Sequence, residues 1–157
     1  MPSLNQFNKL DSIEKDKLSI RICERTANYI EEKYNFNSTV LIVGDKPAPS
    51  TKMENRVNCV PFASVAHSSL YLNLALDKAN ILESDLAWVN ARDYDDKETE
   101  SRLLSHEWLK IIALGGIAEA WVNKHGKSCL KIPHPSYWKR FHSKEPYPLI
   151  QVLKDLV

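Results

Sequence analysis

Three short stretches of this chain end apolar runs in residues able to do chemistry. Gly44-Asp45-Lys46-Pro47 places a carboxylate in a turn directly after a β-rich run. An aspartate there can orient a water molecule or stabilise a cation developing beside it, or simply shape the turn. Convergence of the neighbouring Lys46 would keep that carboxylate ionised. Asn90 follows Leu86-Ala87-Trp88-Val89. Its amide carries both a donor and an acceptor, the equipment for reading a nucleobase edge, and equally for capping a turn. His134-Pro135-Ser136 follows a third run. The histidine there can stabilise a developing oxyanion, and the serine hydroxyl suits a phosphate. Tyr137-Trp138-Lys139-Arg140-Phe141-His142 comes next, with Lys144 close behind. Aromatics interleaved with cations suit stacking and phosphate contact, although such a stretch also reads as a packed loop with a solvated face.

The elements that must carry these residues follow from periodicity. Ser12 to Glu32 reads as an amphipathic helix with Ser12 as N-cap and an approximate stripe of Ile13, Leu18, Ile20, Ile22, Ala27 and Ile30. Thr39 to Val43, ended by Gly44, has the look of a buried parallel strand, and a Pro-rich polar loop follows to about Asn58. The helical period returns from Ala63 to Leu82. Further strands are expected over Leu86–Val89, Trp108–Ala113 and Ser128–Ile132. Helices are expected around Lys97–Glu107, from Ile117 to about Lys124, and from Pro146 through Leu153. Strands alternating with helices predict a three-layer αβα sandwich around a four-stranded parallel sheet. Ligands of such sheets sit beyond the carboxyl ends of the strands, where Gly44-Asp45, Asn90-Ala91-Arg92, Gly115-Gly116 and His134-Pro135-Ser136 gather.

The chain has 157 residues, 43% apolar and 26% charged. That is the size and composition of one globular domain, here a helical segment over 1–37 and an α/β core over 38–157. No apolar run is long enough to span a bilayer, and no basic segment feeds an apolar run at the amino terminus, so a cytoplasmic location is expected; the protein is expected to be a monomer. Three cysteines and no CxxC pair offer no zinc ribbon or iron–sulfur cluster. His67, His106, His125 and His142 lack metal-ligand spacing, so no metal or cofactor is expected. Dinucleotide, Walker and serine-elbow motifs are absent. A net charge of +1 means that any nucleic-acid binding relies on a local basic patch.

Taken in order, these segments resemble the uracil-DNA glycosylase superfamily. Gly44-Asp45-Lys46-Pro47 is similar to its water-activating GExPG or GQDPY motif. Val60-Pro61-Phe62 resembles the element whose aromatic ring stacks on the flipped base. Trp88-Val89-Asn90 resembles the strand end that reads uracil. Ala113-Leu114-Gly115-Gly116-Ile117-Ala118 is similar to the strand-to-helix turn of the family 4-like branch. Pro133-His134-Pro135-Ser136 resembles the motif whose histidine contacts the uracil carbonyl. The resemblance runs from about Thr39 to the carboxyl terminus. It implies that Asp45 and His134 are catalytic and that Gly44, Phe62 and Asn90 bind the base. It further implies that Lys46, Ser136, Lys139 and Arg140 hold DNA, with Tyr137 or Trp138 as a wedge. The four cluster cysteines of family 4 are missing, and Asp45 stands one methylene shorter than the usual glutamate. The implied function is excision of uracil or a related modified base from single- or double-stranded DNA. The alternative is a protein of the same fold that binds or processes a nucleotide or modified base without excising it.

Overall fold

The computed structural model describes residues 7–31, 34–45, 60–65, 67–91, 97–142 and 144–156. Lys46, the Pro-rich loop over 46–58, Cys59 and Arg92 lie outside the described residues. Four short strands, β1 (Val40–Gly44), β2 (Leu86–Asn90), β3 (Lys110–Leu114) and β4 (Leu130–Ile132), pair in the order β2-β1-β3-β4. Every pairing is parallel. β1 and β2 are buried throughout, as continuous apolar runs covered on both faces should be.

Alternation along the strands divides the core in two. Leu41, Val43, Ala87, Val89 and Ala113 face one side, against α3 (Lys97–Ser105) and α4 (Gly116–Lys124) through Leu103, Leu104, Ala118 and Val122. Val40, Ile42, Trp88, Ile112 and Leu114 face the other, against α2 (His67–Lys78) and the last helix, α6 (Pro148–Leu156). The described residues therefore form an α/β arrangement with helices on both faces of a parallel sheet. No described helix is long and apolar enough to cross a membrane.

Helix α1 (Ser12–Ile30) departs most from expectation. Its N-cap is Asp11 rather than Ser12. The Asp11 carboxylate accepts from the Glu14 amide at 2.8 Å and the Glu14 carboxylate accepts from the Asp11 amide at 3.3 Å, a reciprocal capping box. The face turned inward is Leu18, Arg21, Arg25 and Tyr29, while Ile13 and Ile20 are each 66% exposed. The isoleucine stripe is thus not the buried one. Two arginines occupy the inner face because acidic side chains and backbone carbonyls wait there to receive them.

Two helix starts also move, and one helix is new. The segment before α2 is a turn at Pro61-Phe62, so the helix expected from Ala63 begins at His67. Pro135–His142, read above as a loop, is a helix, α5, with Pro135 in its first position, where its fixed φ and missing N–H do no harm. The final helix starts at Pro148 rather than Pro146, because a proline disfavours helical backbone in the residue before it, here Tyr147.

Candidate functional site

The carboxyl ends of β1, β2 and β3 and the residues following β4 bring most of the expected site residues together. Gly44 lies opposite Asn90 in the β1–β2 register, and the Ala91 amide extends the ladder by donating to the Gly44 carbonyl at 2.9 Å. The Asn90 side chain, only 5% exposed as a residue, folds directly over Gly44. A Cβ at Gly44 would come within 2.5 Å of Asn90 Oδ1 and 3.0 Å of Phe62 Cε2. Glycine is therefore required for close approach of two other side chains.

Phe62 sits in a left-handed turn (φ 52°), a conformation a phenylalanine adopts only where its surroundings enforce it. Its half-buried ring lies between Trp88 at 6.1 Å and His134 at 5.6 Å, centroid to centroid. On the other side, Gly115 (φ 103°) ends β3 with its amide on the Ile132 carbonyl at 2.8 Å, and a Cβ there would lie 3.4 Å from His134 Cβ. The two glycines thus lie against Asn90, Phe62 and His134, Gly44 beside the first two and Gly115 beside the third.

His134 immediately precedes α5 and acts as its cap. The His134 carbonyl accepts from the Trp138 amide at 3.0 Å, and its Nδ1 accepts from the Ser136 amide at 3.1 Å. A backbone amide can only donate, so Nδ1 is unprotonated and Nε2 carries the proton. The Ser136 hydroxyl lies 2.8 Å from the same Nδ1 and donates to it in this tautomer. Burial holds the imidazole below its usual pKa, with the Asp45 carboxylate pulling the other way. Desolvation wins, so His134 is a neutral Nε2–H donor at pH 7. The opposing pull places Asp45 within electrostatic reach of His134. Behind this turn, the buried Tyr147 hydroxyl donates to the Pro133 carbonyl at 2.6 Å, and burial, together with Tyr71, keeps that phenol protonated.

Gly44, Asp45, Phe62, Asn90 and His134 therefore share one end of the sheet. The residues expected to hold DNA distribute differently. Ser136 is committed to His134. Tyr137 is 50% and Phe141 61% exposed on α5, their rings 5.0 Å apart, and Arg140 is exposed between them. Lys139 is half-buried. Trp138 turns inward against Tyr147 and donates its indole N–H to the Glu145 carbonyl at 3.1 Å. Lys46 lies outside the described residues. Among those described, no group of three or more His, Cys, Asp or Glu side chains is placed to hold a metal ion.

Sequence reasoning missed the supports behind the site. The Phe62 carbonyl accepts from Arg25 and from Asn73, and Glu83 accepts from Arg21, Arg25 and Trp88. The available signal was the spacing Leu18-Arg21-Arg25-Tyr29, which places both arginines on one helical face with two apolar residues. No protein-family model, curated protein or solved structure matches the chain.

Proposed function

We propose that this protein is an N-glycosidic hydrolase of the uracil-DNA glycosylase type, acting on uracil or a related modified base turned out of DNA into the space between Phe62, Asn90 and His134. The observation that carries this reading is the hydrogen bond from the Ser136 amide to His134 Nδ1 at 3.1 Å, which assigns the ring proton of a neutral imidazole to Nε2. Breaking the bond between sugar and base leaves the electron pair on the base, where the charge collects on a carbonyl oxygen. A neutral donor fixed in advance stabilises that oxygen without reorganising. The Asn90 amide suits the donor–acceptor edge of a base, and the Phe62 ring supplies a stacking face. Asp45 faces the opposite charge, the oxocarbenium-like sugar, and orients the water whose oxygen forms the new bond to carbon.

A second reading is a nucleotide-binding protein on the same scaffold that leaves the bond intact. It draws on the shorter reach of Asp45 and on a net charge of only +1. The two separate in one experiment. Labelled single- and double-stranded oligonucleotides carrying uracil, hydroxymethyluracil or hypoxanthine are incubated with the protein, then cleaved at abasic sites with alkali. Strand cleavage by the wild type, lost in Asp45→Asn and His134→Ala, supports excision and names the base. Absence of cleavage, with nucleotide binding whose affinity depends little on salt, supports the second reading.

A further inference from the structure

The inner face of α1 belongs to the part of the chain that precedes the resemblance, yet it reaches the site. Arg25 is 2% exposed and all of its donor nitrogens are engaged. Nε and Nη2 bind the two Glu83 oxygens, both at 3.0 Å. Nη2 also binds Asn73 Oδ1 at 2.9 Å. Nη1 donates to the carbonyls of Pro61 and Phe62, both at 3.1 Å. The guanidinium carbon lies 3.7 Å from the centroid of the Trp88 ring, which is itself next to Phe62. Asn73 adds a second donor to the Phe62 carbonyl at 2.7 Å.

Pairing with Glu83 accounts for a buried arginine on α1, but not for the Nη1 arm. That arm spans two successive carbonyls of a turn whose second residue has a left-handed backbone. Such a conformation persists only where its surroundings over-determine it, and two donors on one carbonyl do so. Lysine offers a point charge on a flexible stem and cannot reproduce a planar fork that binds Glu83, Asn73 and the turn together.

We infer that Arg25, seconded by Asn73, is a positioning residue that holds the Pro61-Phe62 turn so that the Phe62 ring stands over Gly44 and beside His134. The inference rests on the reading of that space as a base-binding site for its functional consequence, though not for its structural content. Loss of the Arg25 fork lets the turn relax, and the ring leaves its place between Trp88 and His134.

The His134 ring protons report the position of Phe62 by NMR, because an aromatic ring 5.6 Å away shifts their resonances. Arg25→Lys is expected to move the His134 signals while those of His106 and His125 stay put. In a Phe62→Ala background the same substitution is expected to leave His134 unmoved, since the ring through which Arg25 acts is gone. A purely structural role would shift His134 equally in both backgrounds and overturn the inference, as would an Arg25→Lys protein whose His134 signals match the wild type. If Arg25→Lys fails to fold, Asn73→Ser, which leaves the Arg25–Glu83 pair intact, is read by the same criteria. Affinity for a uracil-containing oligonucleotide forms the functional arm, with about a tenfold loss expected in Arg25→Lys from weakened stacking. If the wild type binds no such ligand while the His134 shifts follow the expected pattern, the base-binding reading fails and the positioning role stands.

Discussion

Gly44→Ala separates close approach from backbone freedom. The added methyl would meet Asn90 Oδ1 at 2.5 Å and Phe62 Cε2 at 3.0 Å, so both neighbours must retreat by roughly 0.5–1 Å to reach ordinary contact. Overfilling a packed site costs about 1–3 kcal/mol. Alanine also loses less backbone entropy than glycine on folding, which returns about 0.4–1 kcal/mol. The net destabilisation is about 1–2 kcal/mol, or a fall in Tm of roughly 2–8 °C for a chain of this size. On the proposed function, binding should suffer more, because Asn90 and Phe62 move together and each misplaced hydrogen bond to the base would cost about 1–3 kcal/mol. Ligand affinity should fall by roughly 10- to 100-fold. Gly126→Ala is the control. It has φ 77° and nothing within 4 Å of its would-be Cβ, so it loses about 1–2 kcal/mol through backbone strain alone, with no effect on binding. Thermal melts and ligand titrations of both variants decide the matter. A Gly44→Ala protein with wild-type Tm and wild-type affinity would refute the close packing of Asn90 and Phe62 over Gly44.

Burial depresses the His134 pKa, so its folded form resists protonation. Its contribution to stability is whole above pH 6.5, where the unfolded side chain is also neutral, and is lost as pH falls from there toward the folded pKa; an NMR titration of His134 should give a midpoint below 6.5. Asp45→Asn removes the opposing carboxylate and should lower that midpoint further, whereas an upward move would contradict the assigned coupling. Tyr147→Phe deletes the 2.6 Å bond to the Pro133 carbonyl and should cost about 1–2 kcal/mol in urea unfolding, with reduced ligand affinity because His134 follows Pro133 directly. Glu83→Gln removes the carboxylate shared by the buried Arg25 and Arg21, Arg21 keeping Asp77 at 2.7 Å, and should lower stability by about 3–5 kcal/mol, checked by the same unfolding series.

The sheet and the strand exits were legible because their signals are local. Each strand is a short β-rich run stopped by a glycine, an asparagine or a proline, and a parallel order follows from the intervening helices. The meeting of Gly44, Asn90 and His134 follows from that order, whereas Phe62, which lies in a turn away from any strand end, was singled out only through the resemblance. The supports were hidden because they are long-range pairings between residues of ordinary type. Arg25 and Glu83 are 58 positions apart, and Tyr147 and Pro133 are 14 apart. The isoleucines of α1 misled because hydrophobicity alone assigned its inner face; a guanidinium met by a carboxylate, an amide and two carbonyls is cheaper to bury than its charge implies. Helix α5 was missed because two prolines and a dense set of aromatics obscure its period, although Tyr137 and Phe141 share one face at i, i+4 spacing.

The central claim is that a neutral His134 serves as the donor to a departing base. Its most direct test is the single-turnover rate of base release from a uracil-containing strand by the wild type and by His134→Ala. The arrangement predicts release by the wild type and a rate lower by about 10²–10³ in the variant, with the strand still bound. Release at equal rates in both proteins would contradict the role assigned to His134.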